Sequence, residues 1–140
     1  MTIKEIQKEI IEDFDLFEDW MQRYEFIIEE GKSLPQISDV NKTDDNLIKG
    51  CQSKVWLHAD YENGKLIFTA DSDAILTKGI ISLLLRVYNK QTPENILEAD
   101  PFFIDKIGLK EHLSPTRANG LLSMVKQIKL LALAYQSKNS

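Results

Sequence analysis

Apolar residues recur at helical spacing in two early stretches of the chain. Ile3, Ile6 and Ile10 form the first stripe, opened by Thr2 and Glu5 in the arrangement of a capping box. Phe17, Trp20, Met21, Tyr24, Ile27 and Ile28 form the second. This stripe predicts a helix that begins near Asp15, with Glu18 three residues on, and ends at Gly31; Pro35 forbids its continuation. Residues 33–45 lack periodicity and read as a connecting loop. A short strand is expected over Asn46–Lys49, followed by a loop at Cys51.

The period then falls to two. "KVWLHADY" and "KLIFTADS" flank Asn63-Gly64, and Asn-Gly is the strongest short hairpin signal because a type I′ turn needs positive φ at both central positions. A two-residue turn fixes the register. Tyr61 then faces Leu66, Ala59 faces Phe68 and Leu57 faces Ala70, giving one apolar face, with Glu62 opposite Lys65 as a favourable charge pair. The same register places Trp56 opposite Asp71 and Val55 opposite Ser72, so the Cys51 loop and the segment Asp71-Ser72-Asp73 meet at the open end of the hairpin.

Helical spacing returns at Leu76, Ile80, Leu83, Leu84 and Val87, with Ser72 as expected N-cap, Asp73 in the first turn and Asn89 as a left-handed terminator. Thr92-Pro93 predicts another capped turn, and residues 102–107 a short helix ending at Gly108. The last helix opens at Ser114-Pro115 and carries Leu121, Met124, Ile128, Leu131 and Tyr135 on one face. Gly120 inside it costs about 1 kcal/mol against alanine, which points to close approach of another backbone or to nothing. Helices flanking a small antiparallel sheet, read as three-stranded, place the chain in the α+β class, with residues 1–140 as one domain.

Composition narrows the function. At 140 residues and 43% apolar content the chain can bury a real core, and a net charge of −5 argues against nucleic-acid binding. Charge is uneven: residues 1–30 hold ten acids against three bases, whereas residues 106–140 hold six bases and one acid, Glu111. These are two solvated helix faces or an acidic surface that steers a basic partner. One cysteine excludes an internal disulfide and any Cys-rich metal site, and a free thiol fits a reducing compartment. The acidic N-terminus lacks the apolar core of a leader peptide, and "GIISLLL" is too short to span a bilayer, so the expectation is a cytoplasmic protein without a membrane partner.

Cys51 is the one candidate nucleophile. It sits between Gly50 and Gln52-Ser53, a loop setting rather than a core strand. The nearby helix start favours thiolate, while Asp71 and Asp73 oppose it, and the sequence leaves that balance open. His58 lies seven residues down a strand, about 23 Å if extended, and is a poor base for Cys51; His112 stays open on spacing alone. Arg117, in the first turn of the last helix, is unfavourable for the helix dipole. It reads either as a surface ion pair or as a group facing the thiol loop.

Three blocks, "GCQSKVWL", "ADSDAILTKGIISLLLRVY" and "GLKEHLSPTRANGLLSMV", resemble in content, order and spacing the SufE family of sulfur-acceptor proteins. The resemblance runs from about Leu34 to Ile128 and implies the fold shared with IscU-type scaffolds. It also implies a carrier that takes sulfur from the persulfide of a PLP-dependent SufS-type cysteine desulfurase, stimulates that enzyme, and delivers sulfur to the SufBCD iron–sulfur scaffold. The carrier then has no cofactor of its own, PLP belonging to the desulfurase, and is a monomer or weak homodimer. The family's acceptor cysteine maps onto Cys51, in a loop that tends to be sheltered in the free protein and presented on binding. The family's other motif residues map onto Arg117, Ser72 and Asp73, with Gly50 and Gln52 flanking the thiol. Thr116 stands where Ser is usual, and Asn89 where many relatives carry Gly. A paralogous CsdE-like subfamily, serving a different desulfurase, fits equally well. A lone cysteine suits a carrier, because a second nearby thiol could expel the transferred sulfur and close a disulfide. An IscU-like scaffold, a free-standing thiol enzyme and a plain interaction module remain as alternatives.

Overall fold

The computed structural model describes residues 1–138. Two helices open the chain, α1 (Ile3–Asp15) and α2 (Trp20–Glu30). The hairpin β1 (Val55–Glu62) and β2 (Lys65–Ser72) follows, then α3 (Ile75–Tyr88), α4 (Pro93–Glu98), α5 (Phe103–Lys106) and α6 (Pro115–Lys138). The α+β class stands, and the hairpin register is that dictated by the Asn63-Gly64 turn, from Glu62 opposite Lys65 to Val55 opposite Ser72. Both turn residues have positive φ, 52° and 80°.

The expected third strand is absent among the described residues. Asp44–Asn46 forms a 3₁₀ turn, and residues 46–49 contribute only one bridge, Leu47 to Trp56, before the chain turns away. The sheet has two strands. The outer edge of β2 is closed by irregular chain instead: the Ala70 amide donates to the Pro35 carbonyl and the Leu66 amide to Gln91. Asn89 fills the gap between them. Its side-chain amide accepts from the Phe68 amide (2.8 Å) and donates to the Phe68 carbonyl (3.2 Å), mimicking a strand residue. That duty sets its backbone. Asn89 is extended (φ −70°), and Lys90, at φ 60°, takes the left-handed position expected of Asn89.

Helix boundaries shift for similar local reasons. The first helix runs on to Asp15, so Asp15 cannot start the second; Asp19 caps α2 by accepting from the Gln22 amide at 2.8 Å. Gly31 stays right-handed and leads into a 3₁₀ turn rather than a left-handed cap. Thr2–Glu5 and Thr92 cap α1 and α4 as the sequence predicts, and the Ser114 hydroxyl accepts from the Arg117 amide at the start of α6.

The central element is α3, which packs on α1, α2, β2 and α6. Ile80, Ile81, Leu83, Leu84, Leu85 and Val87 are all buried, each worth about 1.5–3 kcal/mol of transfer free energy. Its closest crossing is with α2, where a Cβ on Gly79 would stand 2.1 Å from the Ile27 carbonyl oxygen, so only glycine lets the helices approach. Arg86 of α3 then ties the helices at the rim, reaching Glu9 (2.7 Å), Asp13 (3.0 Å) and Glu30 (2.9 Å). Lys129 of α6 donates to the Ile96, Leu97 and Ala99 carbonyls at the C-terminal end of α4, satisfying acceptors that a helix end leaves free. Among the described residues no helix is long and apolar enough to cross a membrane.

Candidate functional site

The Cys51 loop is pinned at its base and along one flank. At the base, the Ile48 amide donates to the Val55 carbonyl (2.8 Å). Ser72 and Asp73 grip the other end: the Ser72 hydroxyl donates to the Lys54 carbonyl (2.8 Å), and the Asp73 carboxylate accepts from the Lys54 amide (3.0 Å). The expectation that Ser72 caps α3 and Asp73 sits in its first turn is therefore corrected. Strand β2 runs through Ser72 and α3 begins three residues later; the Asp73 carboxylate serves the loop, and the Ser72 hydroxyl serves the loop and also accepts from the Ala74 amide at 3.3 Å. Ala74 occupies the N-cap position without a side-chain hydrogen bond.

Along the flank, two glycines seat the loop on α6. Gly50 has φ +91°, and a Cβ there would stand 2.5 Å from the Ser123 hydroxyl oxygen, so the position needs glycine twice over. Opposite it, Gly120 lies against Cys51: a Cβ on Gly120 would lie 3.6 Å from the sulfur, an ordinary contact distance that does not require glycine. The interior glycine of the last helix thus faces the candidate nucleophile.

The thiol does not project from the loop tip into solvent. Cys51 is half-buried, and its Sγ lies 3.6 Å from the Gly120 carbonyl oxygen, which accepts the S–H. It lines a cleft of about 20 Å³ with Gln52, Ser53, Thr77, Ile80, Thr116, Arg117, Gly120 and Met124. That is room for about one water-sized atom, far below the several hundred Å³ of a small-molecule site. A larger cavity of about 360 Å³, between the start of α1 and the end of α4, does not include Cys51.

Burial pushes the Cys51 thiol above its ordinary range, because the charged thiolate is poorly solvated there. The acids do not take part. Asp71 and Asp73 both lie outside the cleft. Asp71 is neutralised by Lys42 at 2.7 Å and Lys78 at 3.5 Å. Burial works to raise its carboxyl, but hydrogen bonds from Lys42, Gln36 and the Ser72 backbone outweigh that and hold it at about 2.

Of the residues singled out in the sequence, the structure brings Cys51, Gln52 and Arg117 to one cleft, with Gly50 beside it and Ser72 and Asp73 at the loop base. Arg117 is exposed and, among the described residues, enters no ion pair. Neither histidine lines the cleft. His112 stacks on Trp20 with centroids 3.8 Å apart and donates from Nδ1 to the Gly108 carbonyl, and His58 contacts Asp60 at 3.2 Å. Ser53, Thr77, Ile80, Thr116, Gly120 and Met124 are the liners that sequence reasoning did not single out as site residues. Met124 and Ile80 lay on apolar stripes, and Thr77 carried no motif of its own.

Comparison with known proteins shows the family of the chain. The family model SufE, described as an Fe-S metabolism associated domain, matches residues 8–132. A SufE-like protein of Rhizobium meliloti is 42% identical over 126 residues, covering 86% of this chain and 90% of the relative. One from Synechocystis is 39% identical over 127 residues, covering 91% and 80%. The solution structure of a hypothetical protein from Thermus thermophilus superposes with a TM-score of 0.78 at 23% identity, covering 94% of this chain and 96% of that one, a likeness of fold. With the family model spanning most of its length and these relatives beside it, the chain belongs to the SufE family, associated with Fe–S metabolism.

Proposed function

We propose that this protein is a sulfur acceptor and carrier for iron–sulfur cluster assembly. Its donor is the persulfide of a PLP-dependent cysteine desulfurase of the SufS type, which it stimulates by removing the sulfur, and its recipient is the SufBCD scaffold. A CsdE-type partner is the close variant of the same role. The setting is the cytoplasm, and the carrier acts as a monomer or weak homodimer. The PLP chemistry stays in the desulfurase.

The observation that carries this reading is a single cysteine in a cleft with room for about one more atom. A hydrolase or peroxidase acting alone needs a substrate pocket and a base at the thiol, and no histidine lines this cleft. A cluster scaffold needs several thiolates, and the described residues hold no cluster of metal-ligating side chains. A carrier needs neither.

The transfer is a thiol–persulfide exchange. Cys51 loses its proton to a base at the partner's surface or to water. The thiolate attacks the outer sulfur of the donor's persulfide, a new S–S bond forms at Cys51, and the donor's own S–S bond breaks, leaving its cysteine as thiolate. One neutral sulfur atom moves, and the pair of proteins undergoes no net oxidation. Two features of the chain serve this step. The Gly120 carbonyl and burial keep the free thiol neutral and unreactive. Arg117, exposed at the cleft rim and without an ion pair among the described residues, supplies a cation toward the developing sulfur anion once the partner excludes water. The experiment is desulfurase turnover on L-cysteine with and without the chain. The wild-type protein should raise the turnover and Cys51→Ser should not; equal stimulation by Cys51→Ser would contradict the reading.

A further inference from the structure

The cleft holds a polar group that the transfer step above does not use. Thr77 lies in the first turn of α3 and is only 6% exposed, yet it lines the Cys51 cleft. Among the described residues its hydroxyl has no hydrogen-bond partner, in a protein whose other buried Ser and Gln side chains are paired: Ser82 with the Glu30 carbonyl, and Gln7 with the Asp100 carbonyl and the Phe103 amide. Its oxygen is not sealed from solvent, the enclosed atoms without a hydrogen bond among the described residues being Asp71 Oδ1 and the Tyr88 hydroxyl, so it is open to a group entering the cleft that Thr77 lines.

A second, independent feature points the same way. Asp73 serves the Lys54 amide, and the Ser72 hydroxyl serves the Lys54 carbonyl and the Ala74 amide, so the first-turn amides of α3 have no side-chain cap. The first amide near this end to find a helical partner is that of Lys78, which donates to the Ala74 carbonyl; those of Ile75, Leu76 and Thr77 have none among the described residues. Uncapped amides at a helix start attract an anion. The remaining liners supply no competing negative charge, since Ile80 and Met124 are apolar and no carboxylate borders the cleft. The free space is about 20 Å³, one atom's worth.

We infer that Thr77 is a positioning residue for the carried sulfur: its hydroxyl donates to the outer sulfur anion of a Cys51 persulfide, which sits in the cleft at the uncapped start of α3. This rests on the carrier reading above and specifies how the cargo is held between donor and recipient. The neutral thiol is served by the Gly120 carbonyl, an acceptor. A persulfide anion needs donors, and Thr77, which lines the cleft in the first turn of α3, provides one.

The test can be made on the whole chain without any partner. Sodium polysulfide loads the thiolate, which takes one sulfur atom as the polysulfide dianion departs one sulfur shorter. The loaded protein is then capped with iodoacetamide across a pH series and the capped persulfide counted by mass spectrometry, alongside its decay with time. Thr77→Val removes the hydroxyl and keeps the shape. It should move the midpoint of capping to higher pH by about half a unit or more, since a hydrogen bond to the charged form favours that form, and should shorten the persulfide lifetime roughly threefold by the same loss. Thr77→Ser should restore both. A capping profile and lifetime for Thr77→Val equal to wild type would overturn the inference, as would equal defects in Thr77→Val and Thr77→Ser. If Thr77→Val does not fold, the pair Thr77→Ala and Thr77→Ser makes the same comparison. Loading by a desulfurase and L-cysteine is run in parallel. Failure of that arm alone sinks the donor assignment and leaves the Thr77 result to stand or fall on the polysulfide arm.

Discussion

The sulfur of Cys51 and the carbonyl oxygen of Gly120 face each other at 3.6 Å, across the seam where the loop meets α6. A neutral thiol satisfies that carbonyl and a thiolate would oppose it. The resting chain therefore holds its nucleophile in the protonated form.

This has a direct consequence for reactivity. Burial raises the Cys51 pKa above the ordinary 9.0, so the thiolate fraction at neutral pH is smaller than that of an exposed cysteine. Alkylation by iodoacetamide should be slower than for an unfolded control at pH 7 and should climb with pH through a midpoint above that of the control. The sign for stability follows: a folded pKa above the unfolded one contributes stability at neutral pH that is lost as pH rises through the folded value. A midpoint below that of the unfolded chain would contradict the sheltered-thiol geometry.

The loop's seat on α6 depends on Gly50. Alanine there meets both a φ of +91° and the Ser123 hydroxyl at 2.5 Å. Gly50→Ala should lift the loop, expose Cys51 and raise its alkylation rate about tenfold, at a cost of about 1–3 kcal/mol from strain. Adding Ser123→Ala should recover only part of the stability, because it relieves the hydroxyl clash and leaves the backbone strain. The readouts are alkylation kinetics and urea unfolding.

Arg117 gives a prediction on transfer alone. It is exposed and unpaired among the described residues, so Arg117→Ala should leave the unfolding midpoint within about 0.5 kcal/mol of wild type. If it stabilises the transferred sulfur, loading by a desulfurase should slow about tenfold or more, with Arg117→Lys intermediate because the charge remains and the planar fork is lost. Unchanged loading kinetics would remove it from the site.

Asp71 anchors the open end of the hairpin beneath the loop. Its carboxyl is held at about 2 against an ordinary 3.8, so the ion pairs with Lys42 and Lys78 contribute stability above about pH 4 that is lost as pH falls toward 2. Full linkage would be worth more, but Lys42 is a third exposed, and screening reduces the expected contribution to about 1–2 kcal/mol. Urea titrations of wild type and Asp71→Asn should differ by that amount at pH 6 and converge near pH 2. A constant difference across the range would contradict the assignment.

Much of this geometry was legible before any coordinates. Asn63-Gly64 dictated the register, and the register alone brought the Cys51 loop and Asp71-Ser72-Asp73 together. Gly120, which the sequence left between a close approach and nothing, lies against Cys51, where a Cβ would meet the sulfur at an ordinary 3.6 Å. The misses share one cause, competition between local and distant partners. Ser72 is an excellent cap in isolation, but strand pairing carries it past the helix start and gives its hydroxyl to Lys54. Asn89 has the propensity for a left-handed turn, but pairing with Phe68 holds it extended. Asn46–Lys49 has strand-like composition, but a 3₁₀ turn before it and Gly50 after it leave length for one bridge. Thr77 was invisible because its significance lies in lacking a partner, which only the folded surroundings define.

The most direct test of the carrier account is the mass of the intact chain after incubation with a SufS-type desulfurase and L-cysteine, with the modified residue located by peptide mapping. The account predicts one or more added sulfur atoms on Cys51, removed by reductant and absent from Cys51→Ser. An unmodified Cys51, with the desulfurase active in the same tube, would contradict it.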